Sequence, residues 1–77
     1  MPLYFFHIHD GSYRSDNVGT TLATDHEART EAVIAAGEIL RDLGRAGWHG
    51  IHWSMDVVDE GGTRICQLKF SAHRSGE

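Results

Sequence analysis

The chain has 77 residues, 40% of them hydrophobic, with one cysteine and seven Lys or Arg against eleven Asp or Glu, a net charge of −4. That length makes one domain with a modest core, worth about 3–5 kcal/mol. The basic residues (Arg14, Arg29, Arg41, Arg45, Arg64, Lys69, Arg74) are scattered, which argues against nucleic acid as a partner, and a lone Cys66 excludes a disulfide framework or a zinc site built on paired cysteines.

No apolar run approaches the ~20 residues needed to cross a bilayer, and the opening MPLYFFHIHD lacks the basic start of a secretion signal. The expectation is a cytoplasmic protein without a membrane partner.

Leu3 to His9 is dense in aromatic and β-branched residues and runs into Asp10-Gly11, a turn signal. Alternation puts Tyr4, Phe6 and Ile8 on the core face of a first strand, with Leu3, Phe5, His7 and His9 on the other face. Ser12 to Asn17 reads as a loop. Val18 to Ala23 reads as a short second strand antiparallel to the first, weakened by Gly19.

The organising element is a helix predicted over about 24–43. Thr24 and Glu27 have the spacing of a capping box, Asp25 and Glu27 suit the positive end of the helix dipole, and Gly44 supplies a left-handed stop. Ala28, Ala32, Val33, Ala35, Ala36, Ile39, Leu40 and Leu43 share one face, with Ile34 stranded on the other.

After a Gly-containing connection, in which Trp48 is expected to close one end of the core, His52 to Val58 alternates again. Trp53, Met55 and Val57 point inward there; His52, Ser54 and Asp56 point outward. Asp59-Glu60-Gly61-Gly62 makes a hairpin turn. Arg64 to Phe70 follows with Cys66, Leu68 and Phe70 inward and Ile65, Gln67 and Lys69 outward, and residues 73–77 form a flexible tail after a single domain, 1–72. The fold class is α+β, β-(β)-α-β-β, a three- to four-stranded antiparallel sheet with one helix packed on one face.

The opening PLYFFHIHDG, the Asp16-x-x-Gly19-x-x-Leu22 segment before an Ala-rich helix, the Trp53-x-Met55-x-Val57-x-Asp59 strand and the closing Leu68-x-Phe70-Ser71-Ala72 together resemble a family of short proteins. These occur chiefly in rhizobial and related alphaproteobacteria and are catalogued as a domain of unknown function. The resemblance implies a bacterial, stand-alone, soluble domain; it carries no activity, cofactor or functional residue.

Of the six histidines, His7 and His9 form a His-x-His on one strand face, a spacing that lets two imidazoles reach one metal ion. His52 also faces outward. If the first and third strands lie close, His7, His9 and His52 converge near Asp10 or Asp56, a three-ligand zinc pattern with an open position. The plain alternative is histidine on the wetter face of a sheet, with no His-Glu-x-x-His motif.

His49-Gly50-Ile51-His52, flanked by Trp48 and Trp53, reads as a loop capping the core. Cys66 reads as a small core residue, and Asp59-Glu60 as a solvated turn. Protonating all six histidines would carry the net charge from −4 to +2, so association or solubility is expected to change between about pH 7 and 5.

The leading expectation is a small non-enzymatic module without a cofactor, homodimeric through the sheet face that the helix leaves uncovered, with Phe5, Val58 and Ile65 at the interface. The alternative is a zinc-binding, hydrolytic domain using His7, His9 and His52. A third reading is a regulatory or antitoxin-like domain that binds a protein partner.

Overall fold

A computed structural model describes residues 1–75. It has six elements: β1 (Leu3–His9), β2 (Tyr13–Arg14), β3 (Thr20–Thr21), α1 (Asp25–Arg45), β4 (Gly50–Asp59) and β5 (Arg64–His73). The strands form one antiparallel sheet in the order β2-β1-β4-β5, and β3 pairs with the same edge of β1 as β2 does. The fold is α+β as expected, with a fifth strand because the 12–17 loop contains β2.

Alternation sets the faces as read from the sequence on the central strands. Tyr4, Trp53, Met55 and Val57 are buried against Ala28, Ala32 and Ala36 of α1, while Phe6, Ile8 and Leu68 pack around them half-buried. Three alanines on the contact line let the helix approach the sheet closely, and α1 lies over β4 and β5. The slab measures 47 × 20 × 17 Å, and the sheet face opposite α1 has no layer over it among the described residues.

Thr24 caps α1 as expected, its Oγ1 accepting the Glu27 N–H at 3.1 Å, while Glu27 Oε2 accepts the Ala23 N–H at 2.8 Å. The stop differs. The helix runs through Gly44 to Arg45, the Ala46 N–H reaches the Asp42 carbonyl at 3.0 Å, and Gly47, at φ +83°, makes the left-handed exit. Either glycine can take that conformation, and the helix keeps its bonds until the later one.

The sheet departs from simple alternation in four places. The expected strand over Val18 to Ala23 narrows to Thr20–Thr21, since the Asp16 turn holds the segment before it. β5 extends to His73, paired with Gly50, beyond the expected end at Phe70. A bulge lies where Val57 faces Cys66 but Val58 faces Arg64. The extra residue is Ile65, and it packs half-buried against the core instead of lying outward. Phe70, expected inside, is 41% exposed at the sheet margin, and Val33 on α1 is 63% exposed; both border an open groove between α1 and β5. Trp48 is 36% exposed and borders a hollow with Leu43 and His52.

The hairpin is locked by Asp59, whose backbone N–H donates to the Thr63 carbonyl (3.0 Å) and whose Oδ1 accepts from Gly61 and Thr63 N–H groups (3.0 and 2.9 Å). Glu60 Oε1 then accepts the Leu3 N–H at 2.8 Å, tying the turn to the start of β1. Of the described helices, none is long and apolar enough to cross a membrane. The predicted tail, 73–77, ends in residues 76–77, which lie outside the described residues.

Candidate functional site

The uncovered sheet face is built from the outward rows of β1, β4 and β5. Phe5 lies beside Val58, His7 beside Asp56 and Gln67, His9 beside Ser54 and Lys69, and His52 beside Ser71. Of the residues expected at an interface, Phe5 and Val58 are neighbours on this face and half-buried; Ile65 is turned out of it by the bulge.

Asp16 fastens one side. Its Oδ2 accepts the Phe6 N–H at 3.1 Å and its Oδ1 accepts those of Val18 and Gly19 at 3.0 Å each. Burial raises the Asp16 carboxyl, but the hydrogen bonds from Gly19, Phe6 and Val18, with His7 nearby, hold it below the ordinary 3.8. This turn folds Gly19 (φ +80°) onto the face: a Cβ there would lie 2.9 Å from Leu3 Cγ and 3.0 Å from Phe5 Cε1. Only glycine permits that approach without displacement.

The histidines divide into separate groups. His7 stacks on Phe5 with rings 6.3 Å apart and 3° from parallel, and Tyr13 lies against both His7 (5.9 Å) and His9 (5.2 Å, edge-on). His52 instead meets His73 edge-on at 5.3 Å, and His49 Nδ1 accepts from Arg74 at 2.9 Å. In the sheet register His52 is four residues from the position opposite His7, roughly 14 Å away at ~3.4 Å per residue. His7 and His9 therefore share a neighbourhood with each other and with Tyr13, and His52 lies far from His7 while bordering the same hollow as His9.

The tautomer of His7 is constrained as well. Its Nδ1 accepts the Asp16 backbone N–H at 3.0 Å, so in the neutral ring the proton is on Nε2. A metal on Nε2 needs the proton on Nδ1 and an acceptor facing it; a donor is there instead. Among the described residues no group of three or more His, Cys, Asp or Glu side chains is placed to hold a metal ion.

Asp56, at the centre of the face, has an Oδ1 3.5 Å from Arg64 Nε, yet that oxygen is buried without a hydrogen-bond donor. The contact is an ion pair with poor hydrogen-bond geometry. Next to it, His9, His52, Ser54, Lys69 and Ser71 line an open hollow of about 370 Å³. Cys66 is a half-buried free thiol, and burial pushes its pKa up, partly opposed by Arg29, which disfavours the reactive thiolate. On the helix side, the buried Tyr4 hydroxyl donates to Asp25 at 2.7 Å; this bond, burial and nearby carboxylates push its pKa up to about 12.

Two features escaped the sequence reading. Asp16 showed a signal, an Asp three residues before a Gly in a polar stretch, the mark of an Asx turn. Tyr13 showed none, because a two-residue strand has no periodicity to detect.

A family model described as a domain of unknown function (DUF6894) matches residues 3–71. No curated protein and no solved structure matches the chain.

Proposed function

The chain belongs to the DUF6894 family of domains of unknown function, and from that premise we propose that it works by association, as a homodimer whose two copies meet through the sheet face opposite α1. The observation that supports this reading is the composition of that face. Phe5, Val58 and the 57%-exposed Tyr13 lie on it. Antiparallel sheets tolerate one solvated face, but such a face is ordinarily polar. Phe5, Val58 and the Tyr13 ring suit a partner surface that buries them.

Such a dimer gives the histidines a consistent place. His7 and His9 cover apolar neighbours at the rim, and no reaction is asked of them.

Sedimentation equilibrium at about 100 µM, where a micromolar dimer is nearly saturated, tests the reading. A dimer that becomes monomeric with Phe5→Asp and with Val58→Lys is the expected result. A monomeric wild-type chain, or a dimer indifferent to both substitutions, would refute it.

A further inference from the structure

A second surface, which adjoins the uncovered face at Lys69, lies where α1 passes over the outer edge of the sheet. β5 is the end strand, and among the described residues no backbone group pairs with its outer edge. Beside that edge, Val33, Gly37 and Leu40 of α1 and Leu68 and Phe70 of β5 line a groove of about 240 Å³, with Trp53 at its floor. The groove is apolar.

Gly37 is unusual in the middle of a helix, where alanine is the more stable choice. A Cβ at Gly37 would meet nothing within 4 Å, so no packing contact requires the glycine. Its missing side chain widens the groove.

Charge separates the two flanks of the helix. Glu27, Glu31, Glu38 and Asp42 fall on the flank toward β1, as the hollow shared by Glu31 and Ala35 with Phe6, Asp16 and Thr20 places them. The flank toward β5 carries Arg29, close enough to act on the Cys66 thiol. β5 itself has Arg64 and Lys69 and no carboxylate. Neither Arg29 nor Lys69 is in a salt bridge among the described residues. In a protein of net charge −4, this edge is locally basic.

We propose that the β5 edge and the α1 groove bind an extended segment of another protein, added as a further strand, with apolar side chains alternating into the groove and acidic ones outward. Backbone pairing supplies the affinity and alternate side chains the selectivity. Carboxylates of the segment meet Lys69 on the outer row and Arg29 at the groove rim. A second copy of this chain fits poorly, because its β5 strand brings Arg64 and Lys69 and no carboxylate to meet Arg29 and Lys69. A lysine on an open edge opposes such self-pairing.

The test uses the full chain carrying Trp48→Phe, so that the fluorescence reports Trp53. The probe is the peptide acetyl-Glu-Val-Glu-Val-Glu-Val-Glu-amide, with its counterpart in which every Glu is Lys. Saturable binding of the acidic peptide, at least about ten-fold tighter than the basic one, is expected. Gly37→Leu should keep the fold by circular dichroism and weaken binding at least about ten-fold by filling the groove. Arg29→Glu with Lys69→Glu should reverse the preference, and this pair decides the matter if the leucine variant does not fold.

Equal binding of both peptides, binding of neither, or binding untouched by these variants would overturn the proposal. A wild-type dimer that Gly37→Leu converts to monomer would also overturn it, assigning the groove to a second copy.

Discussion

Along the β1 edge, β2, the Asp16 carboxylate and β3 stand side by side: β2 pairs with Ile8 and His9, Asp16 takes the Phe6 N–H, and β3 pairs with Leu3 and Tyr4. The Leu22 N–H donates to the Pro2 carbonyl at 3.1 Å and completes the seal. The β5 edge, ten residues long, has no such cover among the described residues. The contrast follows the side chains. β1 has apolar residues on both faces, Phe5 as well as Phe6, and would aggregate if left open. β5 alternates polar and apolar residues beyond its bulge, with Lys69 in the middle, so it remains open without inviting its own kind. A side-chain carboxylate therefore does for one strand what a neighbouring strand usually does.

The sealed edge is the easier of the two to break. Asp16→Ala removes the acceptor of three backbone N–H groups and should cost about 3 kcal/mol in urea denaturation, close to the whole stability of so small a domain. Because the Asp16 pKa is lowered on folding, its contribution is present above pH 3.8 and is lost as pH falls through the lower folded value. Asp16→Asn should therefore flatten the acid limb of the stability profile, and an unchanged limb would show that another carboxylate dominates it.

Gly19→Ala should cost about 2 kcal/mol, from the positive φ and the contacts with Leu3 and Phe5. Thermal unfolding of this variant reads how firmly the turn is held on the face. Tyr4→Phe should cost about 1 kcal/mol through its lost bond to Asp25. The folded Tyr4 pKa is raised, so its contribution is present below pH 10 and lost as pH rises toward about 12; the variant should lose less stability over that alkaline range. At the open edge, Gly37→Ala should gain about 0.5–1 kcal/mol, since helix propensity rises and the added methyl meets nothing. A loss of stability there would mean that the groove is already filled in solution.

Much of the layout was legible because it depends on period. The buried row Trp53, Met55 and Val57 and the alanine line of α1 follow directly from alternation and from the 3.6-residue repeat. Thr24 and Glu27 announced the helix start by chemistry that acts within four residues. Where periodicity is interrupted the reading fails: Ile65 changes face at a bulge that no residue type in the hairpin signals, and Gly44 and Gly47 compete as helix stops on nearly equal terms.

The candidate site was partly visible. Phe5 and Val58 do lie together on the uncovered face. The separation of His52 from His7 depends on the β1–β4 register, which is set by Tyr4 opposite Asp59 and by a hairpin that alternation alone does not position. The segregation of Glu27, Glu31, Glu38 and Asp42 on one helix flank was present in their spacing, but its meaning needed the position of β5.

Native-state amide hydrogen exchange, resolved by NMR, tests the contrast between the two edges most directly. The Phe6 amide, satisfied only by a side chain, should exchange as slowly as the central amides of β4. Alternate amides of β5 should exchange rapidly in the free chain and become protected when the acidic peptide is added. A Phe6 amide that exchanges like a loop, or a β5 uniformly protected in the free chain, would contradict one sealed edge and one open edge.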